Sequence, residues 1–157
     1  MPPSTDSFLT GYLPYLLRQA DQTLSAPFYA VLTRYGIARS EWRVMAVLHE
    51  LGELSVADLV TNALSPQPTV THAVHRLEKR KLLTRTAGTH DKRQRFISMS
   101  DSGTQLTTTL MAEAKQLEAE LLTDAGDLSS LVRQLADLVS AVEAHTTRQS
   151  SKITNAG

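Results

Sequence analysis

The chain has 157 residues, 41% of them apolar and 20% charged, which suffices for one domain of ordinary size with its own core. It holds no run of 18 or more apolar residues and no charged-then-apolar leader ending in a cleavage site, so a cytoplasmic setting without a membrane partner is expected. Cysteine is absent, which removes disulfides, thiolate metal sites, thiol nucleophiles and any switch that works by thiol oxidation.

Apolar residues recur at three-and-four spacing over Leu13, Leu16, Leu17, Ala20, Leu24, Phe28, Val31 and Leu32, predicting one long first helix over residues 12–35. Pro14 suits its opening turn, whereas Pro27 lies well inside and is expected to kink or split it. Tyr35-Gly36 ends it. Ser40 then offers an N-cap for a second helix over 41–51, closed by Gly52, with Trp42, Val44, Met45, Val47 and Leu48 facing inward. A third helix starts at about Ser55, whose hydroxyl can cap it with Asp58 in a capping-box-like position, and runs to Leu64.

The turn Ser65-Pro66-Gln67-Pro68 leads into a fourth helix over 68–81, in which proline occupies a first turn. Val70, Val74 and Leu77 make its buried stripe. At 100° per residue Pro68, His72, His75 and Lys79 fall opposite, flanked by Thr71 and Arg76, so that face is polar and cationic. Two strands, 82–87 and 95–99, follow, joined by the charged loop 88–94. A fifth helix over 102–123 turns Leu106, Leu110, Ala114, Leu117 and Leu121 inward. A sixth over 128–145 repeats Leu128, Leu131, Leu135, Leu138 and Val142, widened by Val132 and Val139, and such a terminal helix wants a partner. The residues beyond are expected to fray.

Charge is segregated along this order. The chain is neutral overall, yet residues 67–99 carry eight Lys and Arg (Arg76, Lys79, Arg80, Lys81, Arg85, Lys92, Arg93, Arg95) against Glu78 and Asp91. Residues 101–145 carry eight acids against two bases and should face away from any polyanion. One electropositive surface on an acidic body is what gripping a phosphate backbone requires. Combined with a helix that gives way to two strands around a charged loop, it predicts a winged helix-turn-helix, mainly α with a small β-hairpin wing. The short side chains of Thr69 and Thr71 let a helix approach base edges, while His72, His75 and Arg76 reach bases or phosphates. Arg93 at the wing tip suits a narrow minor groove, held by Asp91 in a fork-shaped salt bridge.

The string Gln67-Pro68-Thr69-Val70-Thr71, then Arg76-Leu77-Glu78-Lys79-Arg80, Asp91-Lys92-Arg93 and Ser100-Asp101-Ser102-Gly103, set in six helices, resembles the MarR family of bacterial transcriptional regulators across almost the whole chain. The wing is its most specific part. The resemblance implies one domain over 1–157, with a DNA-binding lobe at 36–100 and helices at 8–35 and 101–147 that intertwine a homodimer on double-stranded DNA. Gln67, Pro68, Thr69, Thr71, His72, His75, Arg76, Lys79, Arg85, Asp91, Lys92, Arg93 and Arg95 are then the expected DNA contacts. Lys81 departs from the glycine usual before the first wing strand.

The family is often released from DNA by a small anionic aromatic effector, which wants a guanidinium, an apolar wall and a phenol or imidazole. Tyr12, Tyr15, Arg18, Trp42, Arg43 and His49 are the candidates. The plainer reading makes Trp42 core and leaves the arginines solvated or paired with Asp21 and Glu41. His72 and His75 stand one turn apart but no third metal ligand has suitable spacing, and Ser, His and Asp are present without a nucleophile or phosphate-loop motif. No cofactor and no enzymatic activity are expected. The alternatives to a ligand-released repressor are a ligand-independent regulator, a nucleoid-type binder, and an interaction protein that would have no need of the basic segment.

Overall fold

The computed structural model describes residues 8–87 and 95–154 and divides the chain into two compact units, Met1–Glu120 and Leu121–Gly157. The first unit opens with a single turn, α1 (Phe8–Gly11), then α2 (Leu13–Arg34) and α3 (Arg39–Leu51). A two-residue strand β1 (Leu54–Ser55) leads directly into α4 (Val56–Asn62), followed by α5 (Gln67–Lys79), β2 (Leu83–Ala87), β3 (Arg95–Met99) and α6 (Asp101–Leu121). The second unit holds a 3-10 turn (Thr123–Ala125) and α7 (Ser129–Thr154). Among the described residues no helix is long and apolar enough to cross a membrane.

The expected split at Pro27 does not occur: α2 runs through it for 22 residues. The break comes earlier, at Tyr12, whose extended backbone separates α1 from α2. At the other end the chain makes a Schellman turn. Gly36, at φ +64°, donates to Thr33 O (3.0 Å), and Ile37 donates to Leu32 O (2.9 Å). The predicted cap of the next helix is corrected. Ala38, not Ser40, is the N-cap of α3, and its N–H is satisfied by Glu41 Oε2 at 2.6 Å, the acid's half of a capping box whose other half an alanine cannot supply. Ser55 caps α4 as expected, accepting from Asp58 N at 3.1 Å.

The sheet has three strands rather than the expected two, in the order β1-β3-β2, all antiparallel. Leu54 pairs with Ile97 on one side of β3 and Arg85 pairs with Ile97 on the other. Ile97 is therefore central and fully buried. The core gathers Phe28, Val31, Leu32, Val44, Met45, Leu48, Leu59, Val70, Val74, Leu77, Ile97 and Leu110. Each wholly buried Val or Leu contributes roughly 1.5–3 kcal/mol.

The start of α6 explains the Ser-Asp-Ser-Gly string. Ser100 Oγ accepts from Gly103 N (3.0 Å) and donates to the carbonyls of Lys81 (2.8 Å) and Leu82 (3.1 Å), which fastens α6 to the turn after α5. A Cβ at position 103 would lie 2.1 Å from Leu82 O, so only glycine fits. In the second unit Asp127 takes the Ser129 N–H (2.9 Å) and hydroxyl (3.1 Å) at the start of α7. The backbone bond, aided by the hydroxyl, holds the Asp127 carboxyl below its ordinary range.

Candidate nucleic-acid interface

α4 and α5 form the helix pair, and α5 is fixed by one face. Val70, Ala73, Val74 and Leu77 are each at most 1% exposed, so the helix cannot rotate without uncovering its whole stripe. Pro68, Thr71, His72, His75 and Lys79 are thereby left exposed together, as the 100° spacing predicts, and Gln67 and Thr69 in the first turn are exposed beside them. Two cations of the expected set are committed to carboxylates. Arg76 Nε lies 2.9 Å from Oε1 of Glu41, a carboxylate with no solvent exposure, and the Arg76 side chain keeps half of its own surface exposed. Oε1 has no aligned hydrogen bond among the described residues, so it is the guanidinium charge at contact distance that balances it.

Arg85 on β2 grips Glu78 through two parallel bonds, Nε to Oε1 at 2.8 Å and a terminal nitrogen to Oε2 at 3.0 Å. That pairing holds the Arg85 pKa above its usual value. It also ties the last turn of α5 to the first wing strand. Arg95 is exposed at the start of β3, opposite Ala87. Asp91, Lys92 and Arg93 lie outside the described residues.

Arg80, which the charge count simply included in the basic run, caps α2: its guanidinium donates to Gly36 O (2.7 Å) and Tyr35 O (3.2 Å). Nearby, Tyr35 donates to Glu113 Oε1 on α6 at 2.5 Å, and this bond raises the phenol pKa.

The effector candidates separate into groups. Arg18 and Arg43 share a cavity of about 420 Å³ between α2 and α3, lined also by Asp21, Gln22, Ala26, Tyr29 and Arg39. Tyr12, Tyr15, Trp42 and His49 do not line it. Trp42 is half-buried against the core, edge-on to Phe28 at 5.0 Å, while Tyr12 stacks on Phe8 at 4.7 Å and Tyr15 is exposed. Arg39 stands over the Tyr29 ring at 3.9 Å. Sequence reasoning missed Asp21, Tyr29 and Arg39 as cavity residues, although Arg39 and Arg43 stand one helical turn apart. Among the described residues no group of three or more His, Cys, Asp or Glu gathers as a metal cage.

A helix pair followed by an antiparallel wing defines a winged helix protein. A sequence model described as the MarR family matches residues 35–94. The crystal structure of a MarR family transcriptional regulator from Silicibacter pomeroyi DSS-3 is 32% identical, with a TM-score of 0.72 over 85% of this chain and 99% of that one. The chain belongs to the MarR family of transcriptional regulators.

The transcriptional regulator FarR of Neisseria gonorrhoeae is 31% identical over 90 residues, 57% of this chain and 62% of its own length. The homoprotocatechuate degradative operon repressor of Escherichia coli is 28% identical over 112 residues, 69% of this chain and 76% of that one. NadR, crystallised in complex with 4-hydroxyphenylacetate, is 25% identical with a TM-score of 0.73, over 90% of this chain and 97% of that one.

Proposed function

We propose that this chain is a ligand-responsive DNA-binding repressor, acting as a homodimer whose two α5 helices enter successive major grooves of a pseudo-palindromic operator. The observation that carries the reading is the exposed face of α5, where Gln67, Thr69, Thr71, His72 and His75 combine short side chains with donors and acceptors beside Lys79. Arg95 and the charged segment Asp91-Lys92-Arg93 supply phosphate and minor-groove contacts in this reading, while Arg85, held by Glu78, braces the first wing strand against α5. Dimerisation is supported by apolar side chains left exposed on the terminal helices: Leu13, Leu16, Leu17 and Leu24 on α2, and Leu131, Val132, Val139 and Val142 on α7. A small aromatic carboxylate as effector is supported by the arginines around the α2–α3 cavity and by the 4-hydroxyphenylacetate that NadR holds.

The test is a selection of duplexes from a random library with the purified chain, followed by footprinting and salt titration. Half-sites centred about 10 bp apart, or a multiple of that, and an affinity falling by on the order of 10³ between 50 and 200 mM salt are expected. A flat salt response or a single unpaired half-site contradicts the reading, and binding without sequence preference favours a nucleoid-type protein.

A further inference from the structure

Glu41 is the one acid buried among the described residues, and it sits against a cation on the flank of the exposed α5 face. Its Oε2 is fixed by the Ala38 N–H at 2.6 Å, at the start of a helix whose Val44, Met45 and Leu48 share the core with Val70, Val74 and Leu77 of α5. The carboxylate is therefore held in place. Capping asks only for an acceptor there, and a glutamine amide serves that purpose as well as an acid. A full charge with no exposure is costly unless a cation meets it, and this one is met by Arg76 Nε, 2.9 Å from Oε1.

The pair uses one edge of the guanidinium. Arg85 grips Glu78 with Nε and a terminal nitrogen together, and Arg80 gives its terminal nitrogens to Gly36 O and Tyr35 O. Arg76 differs from both: among the described residues no acceptor takes its terminal nitrogens, and half of its side-chain surface is exposed. Successive helical positions differ by about 100°, so Arg76 stands one turn beyond His72 and about 40° round from it. Its free edge thus lies at the rim of the exposed face, in the last turn of α5, where the wall of a groove is closer than its floor. A fork of two N–H groups there matches two oxygens of a phosphate.

We propose that Arg76 clamps a backbone phosphate of DNA through its terminal nitrogens and that Glu41 is the positioning residue that aims it. This rests on the DNA-binding reading above. An arginine free in solvent loses much rotamer freedom on meeting a phosphate, whereas one held at Nε by an immobile acid has already lost it. Charge alone acts the opposite way, because removing an acid close to a phosphate raises affinity. The sign of one substitution therefore separates aim from charge.

Wild type, Glu41→Gln, Arg76→Lys and the double variant Glu41→Gln/Arg76→Lys are checked by circular dichroism and titrated by fluorescence anisotropy on a library-selected and a scrambled duplex, between about 50 and 200 mM salt. Glu41→Gln keeps an acceptor for Ala38 and the charge of Arg76. Arg76→Lys keeps a cation for the buried acid, but one ammonium cannot serve acid and phosphate together.

Glu41→Gln is expected to bind both duplexes at least threefold more weakly than wild type at an unchanged salt slope, since the same cations still displace counterions. Arg76→Lys is expected to weaken both at least fivefold and to flatten the slope of log affinity against log salt by about 1.8 for a dimer, one contact in each chain. In the double variant the lysine, released from the acid, turns to the phosphate and the slope returns. Glu41→Gln that binds as tightly as wild type, or more tightly, overturns the positioning role. Arg76→Lys with the wild-type slope overturns the phosphate contact, as does a loss confined to the selected duplex, which assigns Arg76 to a base edge. If Glu41→Gln does not fold, Arg76→Lys carries the test by itself, because its loss of slope requires both the phosphate and the acid's hold on the ammonium. A wild type that binds both duplexes equally fails the sequence-specific reading alone and leaves every arm readable; one that binds neither overturns both.

Discussion

Lys81 shows how a side chain can occupy a position that backbone geometry reserves for glycine. It has φ +59° and closes α5 with the same pair of bonds that Gly36 makes after α2, Lys81 N to Glu78 O at 2.9 Å and Leu82 N to Leu77 O at 3.0 Å. The turn is therefore made at the cost of a left-handed lysine. Lys81→Gly is expected to stabilise the protein by about 1 kcal/mol, raising the melting temperature by roughly 2–4 °C, checked by calorimetric thermal unfolding. Glu41 is the converse case, a wholly buried acid that periodicity cannot reveal, because spacing marks apolar faces and an acid in a first turn reads as a solvated dipole partner. Glu41→Ala leaves the Ala38 N–H and Arg76 without their partner and is expected to cost about 1–3 kcal/mol by urea unfolding; an unchanged midpoint would contradict the pairing.

At the scale of elements, strong patterns were readable and short or compensated ones were not. The α5 stripe, the Ser55 cap and the Arg95–Met99 strand are legible because burial imposes a period and capping imposes a residue type. β1 has two residues, too few for any period, and forms because β3 offers it an open edge. Proline suggested that α2 would kink or split, and it does not split, since losing one backbone donor does not break a helix whose neighbouring Phe28, Val31 and Leu32 are anchored in the core. The exposed polar face of α5 was legible for the same reason as the stripe opposite it. The commitments of Arg76, Arg80 and Arg85 to protein partners were not, since their acceptors lie 7 to 45 positions away in sequence. The α2–α3 cavity is likewise built across two helices, and sequence found Arg18 and Arg43 but not the residues between them.

At the scale of the whole molecule, charge neutrality conceals a division of labour: a basic stretch at residues 67–99 that presents α5, and an acidic remainder. The exposed apolar residues of α2 and α7 need covering, and a second copy of the chain is the proposed cover. Leu131→Asp/Val142→Asp is expected to shift sedimentation away from twice the 17.2 kDa chain mass, or to give aggregate, and to lower operator affinity at least tenfold; a well-folded monomer that binds as tightly as wild type would contradict the dimer. The most direct measurement of the central claim compares wild type with His72→Ala/His75→Ala by fluorescence anisotropy, on a library-selected duplex and on a scrambled one. Both histidines are exposed and outside the core, so the variant should fold normally. The account predicts that wild type prefers the selected duplex by on the order of 10³ and that the variant loses most of this preference while still binding both duplexes. An equal preference in the folded variant, or none in wild type, would contradict it.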